Sequence, residues 1–253
     1  VSTVARRPRG PRVAIPILLL AATMAFATAA GPDDPPASEG PPPAPAAAGP
    51  LEAADRATLL GIAWRTLEGA LTGTPIQTSD LAAYTIGGHL QEPRGCWITL
   101  RVAGMVRGSM GEIEAGRPLY QQVIFHTRRA ATRDARFAPL VDADLPAITV
   151  EIALIGSRRV VTDAANLAVG GRGLYLEKWG RRAIFLPGVA ASQGWDGERA
   201  LKALARQAAL PEDGWMSGAR IETFDAELIS GRRPGPATPP APAGTPPATP
   251  PGS

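Results

Sequence analysis

The chain of 253 residues predicts an α+β fold, a mainly antiparallel sheet flanked by helices in a single compact domain. Three observations carry that expectation. Leu59, Leu60, Ile62, Ala63, Leu67, Ala70 and Leu71 recur at helical spacing. Ile148, Val150, Ile152 and Leu154 alternate with Thr149, Glu151 and Ala153. Strands and helices then follow one another without the regular β-α alternation that a doubly wound sheet needs.

Each element has its own signal. Leu51 to Leu71 reads as a first helix, with Trp64 available to pack and Gly73-Thr74-Pro75 to end it. Cys96 to Val102 is a β-type run, Ala103-Gly104 a turn, and Met105 to Met110 its return strand. Leu119 to Ala131 is a second helix with Leu119, Val123 and Ile124 as its stripe, and Ile148 to Leu154 is the alternating strand. Val169-Gly170-Gly171-Arg172-Gly173 is rich in glycine, but a phosphate loop needs a following helix, and a strand follows here. It reads as a turn into a hairpin of Leu174 to Glu177 and Ala183 to Leu186, joined by Lys178 to Arg182. Asp196 is an N-cap for a third helix through Ala209, and Ile221 to Ile229 is a terminal strand.

The ends differ in composition from the middle. Arg6, Arg7, Arg9 and Arg12 precede the apolar run Val13 to Ala30, and Ala27-Thr28-Ala29 supplies small residues for signal cleavage. A secretory signal over 1–30 is expected, and export to the periplasm or beyond with it; an uncleaved anchor over 13–30 is the alternative. Arg6-Arg7 also raises twin-arginine export, but Pro8, Arg9 and Gly10 follow where apolar residues are wanted. Residues 31–50 and 231–253 are dominated by Pro, Ala and Gly and read as a disordered linker and tail. The domain is expected over 51–230, with membrane contact only through the N-terminal segment.

The net charge of +3 and pI near 9.5 suggest a basic protein, but the balance is local. Without the four arginines of the N-terminal segment, 22 basic residues face 23 acidic ones. Setting aside Asp33, Asp34, Glu39, Arg232 and Arg233 leaves 20 of each in the domain. A neutral domain offers no electrostatic footprint for nucleic acid. Arginine outnumbers lysine 24 to 2, which reads as coding bias of a GC-rich genome, since no arginine stripe forms.

Few residues suit metal or covalent chemistry. One cysteine, Cys96, and two histidines, His89 and His126, leave little for a soft-ligand metal site, and no loop has calcium-type spacing. No metal or cofactor is expected. Cys96 at a strand start reads as a buried structural thiol, and no Gly-x-Ser-x-Gly elbow is present.

Six segments in order carry a resemblance: Arg107-Gly108-Ser109-Met110-Gly111, Asp134-Ala135-Arg136-Phe137-Ala138-Pro139-Leu140, Val150-Glu151-Ile152, Gly173-Leu174, Phe185-Leu186-Pro187-Gly188-Val189 and Gly194-Trp195-Asp196. Together they resemble the AMMECR domain family, also called AmmeMemoRadiSam system protein A, with its RGCIG, DPRF-x-PL, LPQV and GWD motifs. The resemblance implies an α+β domain in two lobes, a cleft beside the first motif, and association with Memo-type and radical SAM proteins. Ser109 stands at the family's cysteine, Ala135 at the proline of DPRF, and Gly188 at the glutamine of LPQV.

The substitution at Ser109 decides the functional expectations. A thiol is intrinsically nucleophilic, whereas a serine hydroxyl needs an adjacent base, and neither His89 nor His126 is placed by sequence to provide one. Three readings stand: an accessory domain binding a peptide or small ligand in a cleft lined by Arg107, Ser109 and Glu151; an acyl-transfer or modification enzyme using Ser109; and a structural envelope protein. Gly108, Gly111, Asp134, Arg136 and Pro187 complete the candidate cleft residues. The two glycines are expected to let the backbone turn tightly around Ser109 and approach a bound group. The alternation places Glu151 opposite the core, and Arg107 and Arg136 are ion-pair partners for Asp134 or Glu151.

Overall fold

The computed structural model describes residues 51–114 and 116–233. The expected signal or anchor over 1–30, the linker over 31–50 and the tail from residue 234 lie outside the described residues. Among those described, no helix is long and apolar enough to cross a membrane.

Six antiparallel strands form one sheet. They are β1 (Cys96–Val102), β2 (Met105–Glu112), β3 (Ile148–Val160), β4 (Gly173–Lys178), β5 (Arg181–Phe185) and β6 (Arg220–Arg232), in the spatial order β2-β1-β3-β6-β4-β5. The helices are α1 (Ala53–Thr72), the short α2 (Thr78–Leu81) and α3 (Gly88–Gln91), α4 (Leu119–Thr132), the short α5 (Val189–Ser192) and α6 (Gly197–Gln207), with a 3₁₀ turn at Asp142–Ala147. The fold is α+β, as expected. The α6 N-cap is also as expected: the Asp196 carboxylate accepts the Arg199 amide at 2.8 Å.

Several boundaries move. The hairpin connection is not the five residues from Lys178 to Arg182 but the two residues Trp179 and Gly180, with φ of 54° and 70°; Lys178 and Arg181 already pair. Positive φ at both central positions matches the twist of the flanking strands. The last strand continues through Arg232, so the first residues assigned to the tail pair with Thr149 and Val150 of β3. α6 ends at Gln207, short of Ala209, whose φ of 55° breaks the helix.

Two cores lie on one face of the sheet. α1 and α4 cover β1, β2 and the first half of β3, burying Leu59, Ile62, Leu67, Val123, Ile98, Leu100 and Ile152. α6 covers the other end, burying Leu201, Leu204, Leu174, Leu176 and Phe185. Ile229 of β6 joins the first core and Ile221 of the same strand the second, an even number of residues apart, so both helical layers cover the same face.

The opposite face holds a third cluster. Ile155, Tyr175, Ile184 and Phe224 are buried there, with Trp97, Ile113, Leu186 and Ala226 against them. Trp97 belongs to β1 and Ile184 to β5, with β3, β6 and β4 between them in the sheet. They share one cluster because the sheet curls with this face concave, helped by a break in register between Ile155 and Arg158. Gly173 makes room for it: a Cβ there would come within 2.3 Å of the Phe224 ring.

Candidate ligand-binding site

β2 is an edge strand, and its exposed side is sealed at Ser109. The Ser109 amide donates to Asp134 Oδ2 at 2.8 Å, and the Ser109 carbonyl accepts from Arg136 Nη2 at 2.9 Å. Arg136 also donates from Nε to Asp134 Oδ1 at 2.7 Å and from Nη2 to Oδ2 at 2.5 Å. The ion pair stands in for a neighbouring strand at one residue, satisfying groups that an edge leaves open. Burial pushes the Asp134 carboxyl upward, but hydrogen bonds from Arg136 and Ser109 outweigh it and hold the group below its ordinary range. The second motif is thus the seal of the first.

The Ser109 hydroxyl has neutral partners. It accepts the Trp97 indole N–H at 2.8 Å and lies 3.0 Å from the Thr99 hydroxyl, where either can donate. No imidazole or carboxylate reaches it among the described residues. Glu151 is the register partner of Thr99, but its carboxylate accepts from Arg101 Nε at 2.8 Å. His89 is exposed on α3. His126 lies on α4, over the helix-covered face, fully buried, 3.1 Å from Gln122 Oε1 and 3.8 Å from the Glu112 carboxylate. Burial, with Arg129 and Arg117 adding to it, pulls His126 down to about 4; Glu112 is 42% exposed, and its attraction is the weaker effect.

The glycines around Ser109 do not form a turn. Both lie within β2, and each serves packing: a Cβ on Gly108 would come within 2.0 Å of the Ala130 carbonyl of α4, and one on Gly111 within 2.6 Å of the Trp97 ring. Arg107 is the extra residue of a bulge, since Gly108 pairs with Leu100 and Val106 with Arg101. It forms no salt bridge among the described residues; the partner of Asp134 is Arg136 and that of Glu151 is Arg101. Pro187 follows β5, half-buried, ahead of Gly188 at φ 84°, a left-handed position that suits glycine.

A cavity of about 750 Å³ opens beside this arrangement, within the ~300–1,000 Å³ usual for small-ligand sites. Trp97 and the segment Gly111 to Glu114, which ends β2 and leaves it, line one side; Tyr175, Gly180 and Arg182 to Ile184 line the other, with Arg129 of α4 and Gln207 of α6 at the rim. Of the residues singled out in the sequence, Gly111 is the one that lines it. Ser109 stands one step away, behind the Trp97 indole it accepts from. Burial, with the Glu177 carboxylate adding to it, raises the Tyr175 phenol, so it stays neutral. Among the described residues no group of three or more His, Cys, Asp or Glu is placed to hold a metal, and Cys96 is fully buried, its thiol raised by burial.

These features define an α+β domain whose curled sheet leaves a cavity between its two edge strands. The AMMECR1 family model matches residues 60–229, and the chain belongs to that family. A Methanothermobacter thermautotrophicus protein is 30% identical over 192 residues, covering 71% of this chain and 96% of its own. A Methanosarcina barkeri protein is 25% identical over 178 residues, covering 68% and 88%. The crystal structure of an uncharacterised Pyrococcus horikoshii protein superimposes with a TM-score of 0.61 at 26% identity, covering 68% of this chain and 89% of that one.

Proposed function

We propose that this chain is a non-catalytic binding domain of the AMMECR1 family, taking a peptide or small molecule in the cavity between its edge strands. It serves as an accessory component alongside Memo-type or radical SAM proteins, a role that rests on the motif resemblance. The observation that supports non-catalysis is the bonding of Ser109: its hydroxyl is held between an indole N–H and a threonine hydroxyl, with no base among the described residues to activate it. A fluorophosphonate tests this on the folded chain. Mass spectrometry should find Ser109 unmodified; stoichiometric labelling that denaturation abolishes would make Ser109 a nucleophile and the chain an enzyme.

We also propose export, on the strength of the arginine-led apolar run Val13 to Ala30 and the Ala27-Thr28-Ala29 site. Intact mass of protein recovered from its native envelope should place the mature start near Ala30 or Gly31. A species retaining Arg6 to Arg12 would mean an anchored protein instead.

A further inference from the structure

The two strands that flank the cavity, β2 and β5, are the two edges of the sheet. In an antiparallel hairpin, residue pairs alternate between exchanging both backbone hydrogen bonds and exchanging none. In the β4–β5 hairpin, Lys178 and Arg181 close a two-residue turn as a bonded pair, so Glu177–Arg182 and Tyr175–Ile184 are the non-bonded pairs. Arg182 and Ile184 therefore turn their backbone groups outward, and the Gln207 amide donates to the Ile184 carbonyl from that side at 3.1 Å. In β2 the outward residue is Ser109, whose amide and carbonyl are taken by Asp134 and Arg136. Two residues on, Gly111 has the same outward geometry and lines the cavity.

Among the described residues, an unsealed backbone thus faces the cavity from both sides: Gly111 on β2, and Arg182 with the Ile184 amide on β5. Gly111 and Glu112 of β2 and Arg182 to Ile184 of β5 line the same cavity, so the two edges stand on either side of one opening. The two walls differ in character. Trp97, Tyr175 and Ile184 belong to the concave face, whereas Arg129 and Gln207 reach in from the helices on the other face and Glu112 points toward that same side. A strand lying between the edges would present alternate side chains to an aromatic wall and a polar one.

We infer that the cavity is a strand-addition slot, which accepts a short extended peptide of alternating apolar and polar residues and bonds its backbone to Gly111 on one side and Arg182 on the other. Main-chain bonds supply affinity and the two walls select side chains, as in other sheet-edge recognition. The inference rests on the cavity being a ligand site, and deepens that reading by naming the ligand's chemistry.

The probe is a pool of N-acetylated, C-amidated hexapeptides with Val, Ile or Phe at odd positions and Lys, Glu or Ser at even positions, offered to the full chain in affinity-selection mass spectrometry. Members should be retained, and retention should fall on N-methylation of either alternating frame of peptide amides, since one frame faces β2 and the other β5; loss in one frame alone would overturn the two-sided slot. At saturation, amide exchange at Gly111 and Arg182 should slow about tenfold or more, the effect of one added hydrogen bond at its strong end. Retention indifferent to methylation in both frames would overturn strand addition while leaving the cavity as a side-chain-lined ligand site. Retention of no member would overturn the inference as well. Fluorophosphonate labelling of Ser109 would instead overturn the non-catalytic reading beneath it.

Discussion

The two edges of this sheet are finished by different means. At β2 a buried ion pair closes the strand at Ser109: the Asp134 side chain is 3% exposed and that of Arg136 15%. At β5 a half-buried neutral amide, Gln207, closes one carbonyl, and the Arg181 guanidinium on the same strand reaches back to the Ala209 carbonyl at the end of α6. A charged seal cannot be removed from one side without leaving its partner buried and alone, whereas a neutral one leaves a single group that water can reach. The first edge is therefore built to stay shut at Ser109, and the opening between the edges falls where neither seal extends.

The sharpest way to break that comparison is to delete the charged seal. Asp134→Ala should cost about 3–5 kcal/mol in urea unfolding, since it strands the Arg136 guanidinium and the Ser109 amide together. A loss near that of a surface ion pair, below ~1 kcal/mol, would show that the edge tolerates opening.

Acid should act on the same end of the molecule. His126 is neutral in the folded protein because burial holds it near 4, while the unfolded chain titrates near ~6.5. Above that value both states are neutral and stability is complete. As pH falls from ~6.5 toward 4 the unfolded chain gains a proton the folded one refuses, and stability drops by up to about 3 kcal/mol. Exchange of α4 and β2 amides should accelerate there before that of β4 and β5, and His126→Gln should flatten the dependence.

The smallest effect belongs to the second edge. Gln207→Ala should cost about 1 kcal/mol, the net worth of one hydrogen bond, measured by the same unfolding. A cost equal to that of Asp134→Ala would erase the distinction between the edges.

Much of this architecture was legible from periodicity. The alternation of β3 put Ile148, Val150, Ile152 and Leu154 in the core, and helical spacing placed α1, because a large buried face leaves a regular trace in sequence. The partners of Ser109 were not legible, for a specific reason. A two-residue turn at Ala103-Gly104 without a bulge would pair Thr99 with Gly108; the extra residue Arg107 shifts the register so that Thr99 faces Ser109. Nothing in the local residues marks that bulge. Trp97 was hidden likewise, since it lies on the face whose covering comes from the curl of the sheet and from strands more than seventy residues away. The Asp134-Ala135-Arg136 segment was visible as a motif, but its role as an edge seal depends on where α4 ends.

Position 109 is held rather than activated. Ser109→Cys tests it directly, because the introduced thiol reports its own surroundings and the other cysteine, Cys96, is fully buried. With an indole N–H and a hydroxyl as the partners of its side chain among the described residues, and with the Arg136 guanidinium paired to Asp134, that thiol should react with iodoacetamide no faster than a free cysteine, and its rate should rise with an apparent pKa at or above ~8.5. A rate at pH 7 tenfold or more above that of a free thiol, with an apparent pKa depressed below ~7.5, would reveal an activating environment and contradict the account.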